Sequence, residues 1–225
     1  MMEKKLIQSK TYSDRFKYKK KYEDLFTGGY YMRDIYGKNR KTRGGYGDGG
    51  GIRRLLKPIK QFVDENPGCM LLEYGCGRSV HWHTKVKIYK RELTGKFIPD
   101  NAKHQEVPNK EKITMCEYLG PNLGGFYRYD PFHPIYKVRP PSQADAVIVC
   151  DVLEHIPIEE LPDVLKDIKK HTRVGGEVFI TIPANPAKCT FMDGENMHCT
   201  LMSREEWKNI LTKNIRRKLQ IKYTR

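Results

Sequence analysis

Met70-Leu71-Leu72-Glu73-Tyr74-Gly75-Cys76-Gly77 is the stretch on which the reading of this chain turns. An apolar run leads through an acid and an aromatic into two glycines one residue apart. A strand buried on both faces of a parallel sheet reads as such a continuous apolar run. Gly75 and Gly77 let the backbone bend sharply and approach a ligand that a Cβ would obstruct. Open α/β sheets bind nucleosides at such a turn, at the carboxyl end of the first strand. A lone G-x-G is a weak signal. Two segments downstream give it weight: Ala144-Asp145-Ala146-Val147-Ile148-Val149-Cys150-Asp151-Val152-Leu153-Glu154-His155-Ile156-Pro157 and Val174-Gly175-Gly176-Glu177-Val178-Phe179-Ile180-Thr181-Ile182-Pro183.

Taken in order, the three segments resemble the class I S-adenosylmethionine-dependent methyltransferases, over roughly Gly68 to Trp207. The first is similar to that family's cofactor loop. The second is similar to its fourth strand, with the pattern D-x-V-x-x-x-D-V-L-E-H-I-P. The third resembles its fifth strand, entered through a glycine pair. The small size resembles the compact members found in phage and bacterial genomes. The resemblance implies an α/β fold: a Rossmann-like, mostly parallel sheet with helices on both faces. It also implies S-adenosylmethionine as cofactor and methyl transfer to an oxygen or nitrogen nucleophile. Glu73, Tyr74, Gly75, Cys76 and Gly77 would hold the methionine side, Asp130 and Pro131 the ribose side, and Cys150, Asp151 and Val152 the end of the fourth strand.

The sheet is expected to be trimmed. Asp130 follows the aromatic-rich Phe126-Tyr127-Arg128-Tyr129 and precedes Pro131, which stops a strand. A carboxylate there can accept hydrogen bonds from both ribose hydroxyls. The alternative is a turn-forming Asp before Pro. A dinucleotide unit places its ribose acid ~20 residues past the glycine loop; Asp130 comes 53 positions after Gly77 (77 to 130). An insertion at about 84–122 therefore separates the first helix from the second strand. It carries Pro99, Pro108 and Pro121, and reads as a substrate-recognition element or an ornamental loop. Asp130 and Asp145 stand only 15 positions apart (130 to 145), so a third strand is missing or reduced to a few residues around Tyr136 to Arg139. Lys218 to Tyr223 can form a sixth strand, and a seventh is absent.

Ahead of residue 67 lies a basic N-terminal extension, 1–66, expected to pack on the methyltransferase domain, 67–225. In Lys10 to Phe26, Tyr12, Phe16, Tyr22 and Phe26 can share a helix face. That face packs on the core or stacks nucleic-acid bases. Tyr36 to Gly51 interleaves glycines with Lys and Arg; it is either an anion-gripping loop or a basic linker. Ile52 to Glu65 has helical spacing and leads into the first strand.

Asp151, Glu154 and His155 stand at i, i+3 and i+4 and share a face if one helical turn follows the strand. His198 lies on a loop just before Ser203-Arg204-Glu205-Glu206, a capping box that opens a helix through Trp207 and Ile210. Asp151, Glu154, His155 and His198 resemble the E-x-x-E-H…H divalent-metal site of small-RNA 2′-O-methyltransferases, with Asp151 in place of a Glu. The competing reading makes His155 or His198 a general base, with Glu154 a further catalytic candidate, or leaves these residues structural. His81-Trp82-His83 is a weaker metal pattern, more often packing.

Lys and Arg number 42 against 27 Asp and Glu, a formal charge of +15. Such a charge attracts an anionic partner, nucleic acid first and acidic lipids or sugars behind it; the alternative is a merely solvated lysine-rich surface. Cysteines at 69, 76, 116, 150, 189 and 199 form no C-x-x-C pair and read as reduced cytosolic thiols rather than a zinc cluster. With no apolar segment behind Met1 and no run near the ~20 apolar residues of a membrane helix, a cytoplasmic location is expected. A nicotinamide-dependent oxidoreductase competes weakly, because the third fingerprint glycine would fall at Val80. An inert nucleic-acid-binding module on this scaffold is the other competitor.

Overall fold

The protein was analysed as a computed structural model that describes residues 17–27, 31–34, 39–41, 50–79, 82, 86–87 and 112–224. Alternation along the strands sets the architecture. In β3 (Cys69–Tyr74), Leu71 is buried on one side while Leu72 and Tyr74 are buried on the other. The same division holds in β7 (Ala144–Cys150), where Ala146 and Ile148 oppose Val147 and Val149. In β8 (Thr172–Pro183), Phe179 opposes Val178, Ile180 and Ile182. Strands apolar on both sides require cover on both faces.

One face is covered by α2 (Leu56–Glu65), through Leu56, Ile59, Phe62 and Val63, and by the short α3 (Met115–Leu119). The other is covered by α4 (Leu161–His171), through Leu161, Val164, Leu165 and Ile168, and by α5 (Arg204–Ile215), through Trp207, Leu211 and Ile215. These positions repeat every three to four residues, so each helix presents one apolar stripe. Each large apolar side chain buried this way contributes about 1.5–3 kcal/mol. The Ser203 capping box forms as expected: Ser203 N donates to Glu206 Oε2 at 2.8 Å and Glu206 N to Ser203 Oγ at 3.2 Å.

The main sheet has five strands in the order β10-β8-β7-β3-β6, with β6 (Leu123–Tyr129) and β10 (Lys218–Thr224) at its edges. Every neighbouring pair is parallel, so all five carboxyl ends open on one edge. Residues 131–143 form turns and bends with no strand among them, and β10 lies directly against β8. The third strand is thus lost, and β10, the strand expected at Lys218 to Tyr223, is the last of the five among the described residues. Arg139 in that turn region donates to Asp167 Oδ1 of α4 at 2.7 Å, and Tyr74 Oη donates to Asp167 Oδ2 at 2.9 Å. That buried carboxylate fastens the shortened connection to the sheet.

The carboxyl end of the segment expected to be an insertion, 84–122, packs into the core. Met115, Tyr118 and Leu119 of α3 are buried against α2, so this stretch belongs to the domain core. A capping box of its own starts α3: Thr114 Oγ1 accepts from Glu117 N at 3.1 Å and Thr114 N donates to Glu117 Oε2 at 2.5 Å.

At the chain's start, helix α1 (Lys19–Thr27) follows a turn at Lys17–Tyr18. Tyr18 and Tyr22 are buried in the α4–α5 side of the core. Two short strands, β1 (Tyr31–Asp34) and β2 (Asn39–Lys41), form an antiparallel sheet with β9 (Cys189–Thr190). A further antiparallel pair joins β4 (Val86–Lys87) to β5 (Lys112–Ile113). Tyr12, Phe16, His81, His83 and most of Tyr36–Gly51 lie outside the described residues. Among the described residues no helix is long and apolar enough to cross a membrane.

Candidate active site

The carboxyl edge is shaped first by the turn after β3. Gly75, Gly77 and Ser79 take φ of 68°, 53° and 48°. A Cβ on Gly75 would lie 2.6 Å from Val152 Cγ2, so the glycine admits the segment that follows β7 as well as any ligand. Two buried acids bracket this turn. Asp130 Oδ2 accepts from Gly77 N and Oδ1 from Phe132 N, both at 3.0 Å. Glu73 Oε2 accepts from Trp82 Nε1 at 2.7 Å and from Ser79 Oγ. Burial raises the Asp130 carboxyl above its usual range, against the lowering effect of its backbone hydrogen bonds from Phe132, Gly77 and His133; Glu73 raises it further. Acids held in this way favour a cationic ligand, which relieves the cost of burying them.

The end of β7 is shaped by an unusual backbone. Asp151 is left-handed at φ 52°. Its N–H donates to Thr181 O at 3.2 Å, and its Oδ1 accepts from Thr181 Oγ1 at 2.8 Å. A Cβ on Gly51, in the 3₁₀ turn Gly50–Arg54, would lie 2.3 Å from Asp151 Oδ2, so a larger residue there would displace the Asp151 carboxylate. Residues 153–155 then make a single 3₁₀ turn.

That turn places Glu154 and His155 against His198 from the loop after β9. One ligand atom from each lies within 4.8 Å of the others. Glu154 Oε1 is 3.6 Å from His155 Nε2 and 4.0 Å from His198 Nε2. Glu154 is 0% exposed, and neither carboxylate oxygen accepts a hydrogen bond from a described residue. Both imidazoles are anchored by their other nitrogen: His155 Nδ1 to Met197 O at 2.8 Å, and His198 Nδ1 to Asn185 O at 2.7 Å. A carbonyl only accepts, so each Nδ1 carries a proton, and a ring so held offers Nε2 as its ligand atom when neutral. Burial pushes the Glu154 carboxyl well above its ordinary range, and Asp151 adds to the shift. Burial, with His198 second, lowers His155 to about 3 against the opposing bond to Met197 O.

Glu154, His155 and His198 are a group that could hold a cation. A ligating histidine almost always donates its remote N–H to a carbonyl or carboxylate, and it must be neutral to bind. A buried carboxylate without hydrogen bonds costs free energy until a cation or donor reaches it. The same burial makes His155 a poor general base near neutral pH, because proton transfer is most efficient when the base's pKa lies near the working pH.

A family model described as a methyltransferase domain matches residues 48–214. The chain belongs to the class I S-adenosylmethionine-dependent methyltransferase superfamily. A search of curated proteins returns no match.

Two of the residues singled out from the sequence depart from their expected places on the methyltransferase sheet. Asp151 does not join Glu154, His155 and His198, because its left-handed backbone puts it outside the helical turn and Thr181 takes its carboxylate. Tyr74 gives the edge only its backbone, since its phenol is buried on the opposite face against Asp167. Burial pushes the Cys76 and Cys150 thiols up, with Asp130 second for Cys76 and Glu73 second for Cys150. Pro131 follows Asp130 in the turn after β6, and Val152 packs on Gly75. Sequence reasoning missed Thr181, Ser79 and Asn196. A hydroxyl or amide carries no pattern of its own; only Thr181's place at the end of an apolar strand marked its neighbourhood.

Proposed function

We propose that this protein transfers the methyl group of S-adenosylmethionine to a hydroxyl of a nucleic-acid acceptor, RNA first, and that Glu154, His155 and His198 hold a divalent cation. The observation that carries the reading is Glu154: a fully buried carboxylate that accepts no hydrogen bond from a described residue and faces two anchored imidazoles. The +15 charge supports a polyanionic acceptor.

S-adenosylmethionine supplies a sulfonium whose methyl carbon is open to in-line displacement, and the residues at the edge suit it. Gly75 and Gly77 leave the backbone of the loop accessible. Glu73 and Asp130 present acids toward a cationic nucleoside, and each Asp130 oxygen keeps a second lone pair for a ribose hydroxyl. A divalent cation at Glu154, His155 and His198 supplies Lewis-acid polarisation of a bound hydroxyl, lowering its pKa. The protein's own contribution is alignment and exclusion of water. Tyr22, Phe132 and Phe191 form an aromatic wall beside His155, with Tyr22 edge-on to its ring at 6.1 Å between centroids. An apolar wall restricts water at the reacting centre.

The test is label transfer from methyl-tritiated S-adenosylmethionine to small RNA, followed by digestion to nucleosides. The expected result is label in a ribose-methylated nucleoside, lost with chelator and restored by Mn²⁺. Label in base-methylated nucleosides, or transfer indifferent to chelator, contradicts the reading.

A further inference from the structure

Two main-chain carbonyls set the tautomers of the site's imidazoles, and both belong to one loop. Asn185 O takes the proton of His198 Nδ1, and Met197 O takes that of His155 Nδ1. These carbonyls sit on opposite arms of the loop, so their separation has to be held by something between the arms. Asn196 does this with a single side chain. Its Nδ2 donates to Ala187 O at 3.0 Å, while its Oδ1 accepts from Ala187 N at 3.0 Å and from His198 N at 2.9 Å. Ala187 N only donates and Ala187 O only accepts, so the orientation of the amide is fixed by chemistry. Farther along the loop the backbone closes itself, with Phe191 N donating to Glu195 O at 2.8 Å and Met197 N to Cys189 O at 3.4 Å.

We infer that Asn196 is the positioning residue of the cation site: its amide locks the arm carrying Asn185 to the arm carrying Met197 and His198, and so aims both Nε2 atoms at Glu154. The inference rests on the proposed reading that this trio takes a divalent cation. Asn196 itself touches no ligand atom; it acts through the two carbonyls and the His198 backbone. An aspartate keeps both acceptor roles but sets a carboxylate against Ala187 O, which opens the Asn185 arm and disturbs His198 more than His155. An alanine removes the side-chain clasp and leaves the arms joined only by main-chain bonds across residues 189–197.

The experiment combines Mn²⁺ calorimetry with ¹H–¹⁵N imidazole correlation spectra of metal-free protein, on the full chain and on the variants Asn196→Ala and Asn196→Asp. Loss of a supporting partner of a metal ligand typically costs ~10–100-fold in affinity. Asn196→Ala is expected to fall in that range, with Asn196→Asp between it and the unaltered chain. In the spectra the unaltered chain shows both histidines as Nδ1–H tautomers, and Asn196→Ala loses that pattern at His198. If Asn196→Ala does not fold, Asn196→Asp carries the comparison. Variants that bind Mn²⁺ as the unaltered chain does, with the His198 tautomer unchanged, overturn the inference. An unaltered chain that takes no Mn²⁺ overturns the cation reading instead; the tautomer of His198 in the variants then decides whether Asn196 positions the rings.

Discussion

Replacing Glu154 with methionine sets the stability of the fold against the chemistry of the site. The carboxylate is 0% exposed and neither oxygen accepts a hydrogen bond from a described residue. Leaving a buried polar group unsatisfied costs about 1–3 kcal/mol, and an unbranched apolar side chain of similar volume adapts to such a space. Glu154→Met is therefore expected to stabilise the metal-free protein by about 1–2 kcal/mol. At about 2–4 °C per kcal/mol for a domain of this size, that is a rise in Tm of about 2–8 °C. Divalent cation reverses the order of the two proteins. Saturation at 100 times Kd adds ~2.7 kcal/mol to any protein that binds, so the unaltered chain gains about 5–10 °C and the variant gains nothing. The assay is differential scanning fluorimetry in chelator and in Mn²⁺. A variant that melts below the unaltered protein in chelator refutes the reasoning, because the carboxylate would then be supporting the fold.

Gly75→Ala places a Cβ 2.6 Å from Val152 Cγ2 on a residue at φ 68°. Left-handed strain of about 1–2 kcal/mol adds to overpacking of about 1–3 kcal/mol, and calorimetry with S-adenosylmethionine should show affinity at least ~10-fold weaker. Gly75→Ala with Val152→Ala recovers the packing part but not the backbone part; full recovery shows that φ is unimportant. His133 is buried, and burial, with Arg78 and Arg128 behind it, lowers its imidazole below the usual value of 6.5. The unfolded chain takes up that proton first as pH falls below about 6.5, so the folded state loses stability there. His133→Asn keeps an acceptor for Ile135 N and Tyr136 N, which His133 Nδ1 now serves at 3.1 and 3.4 Å. Urea melts at pH 8 and pH 5 should show a smaller acid-side loss for the variant; equal losses contradict the assignment.

The sheet was legible because its strands are buried on both faces: Leu71-Leu72 and Val147-Ile148-Val149 admit little else. Spacing also exposed the missing third strand, since 15 residues between Asp130 and Asp145 cannot hold a helix and a strand. Helix α3 was hidden because five residues carry too little periodicity to stand out in a polar, proline-punctuated stretch. The trio Glu154, His155 and His198 was visible as residue types, yet its membership was not. Asp151 stands outside the group with a left-handed backbone, a conformation open to aspartate that nothing in the sequence assigns to this position. The clasp made by Asn196 is likewise invisible in sequence, because its partners are main-chain atoms of Ala187 and His198.

Crystals grown with S-adenosylhomocysteine and Mn²⁺, with data collected at the manganese absorption edge, test the central claim most directly. The account predicts one anomalous peak bounded by Glu154, His155 and His198, with the nucleoside lying along Gly75–Gly77 and its ribose at Asp130. A peak elsewhere or none at the trio, or a nucleoside turned away from Asp130, contradicts it.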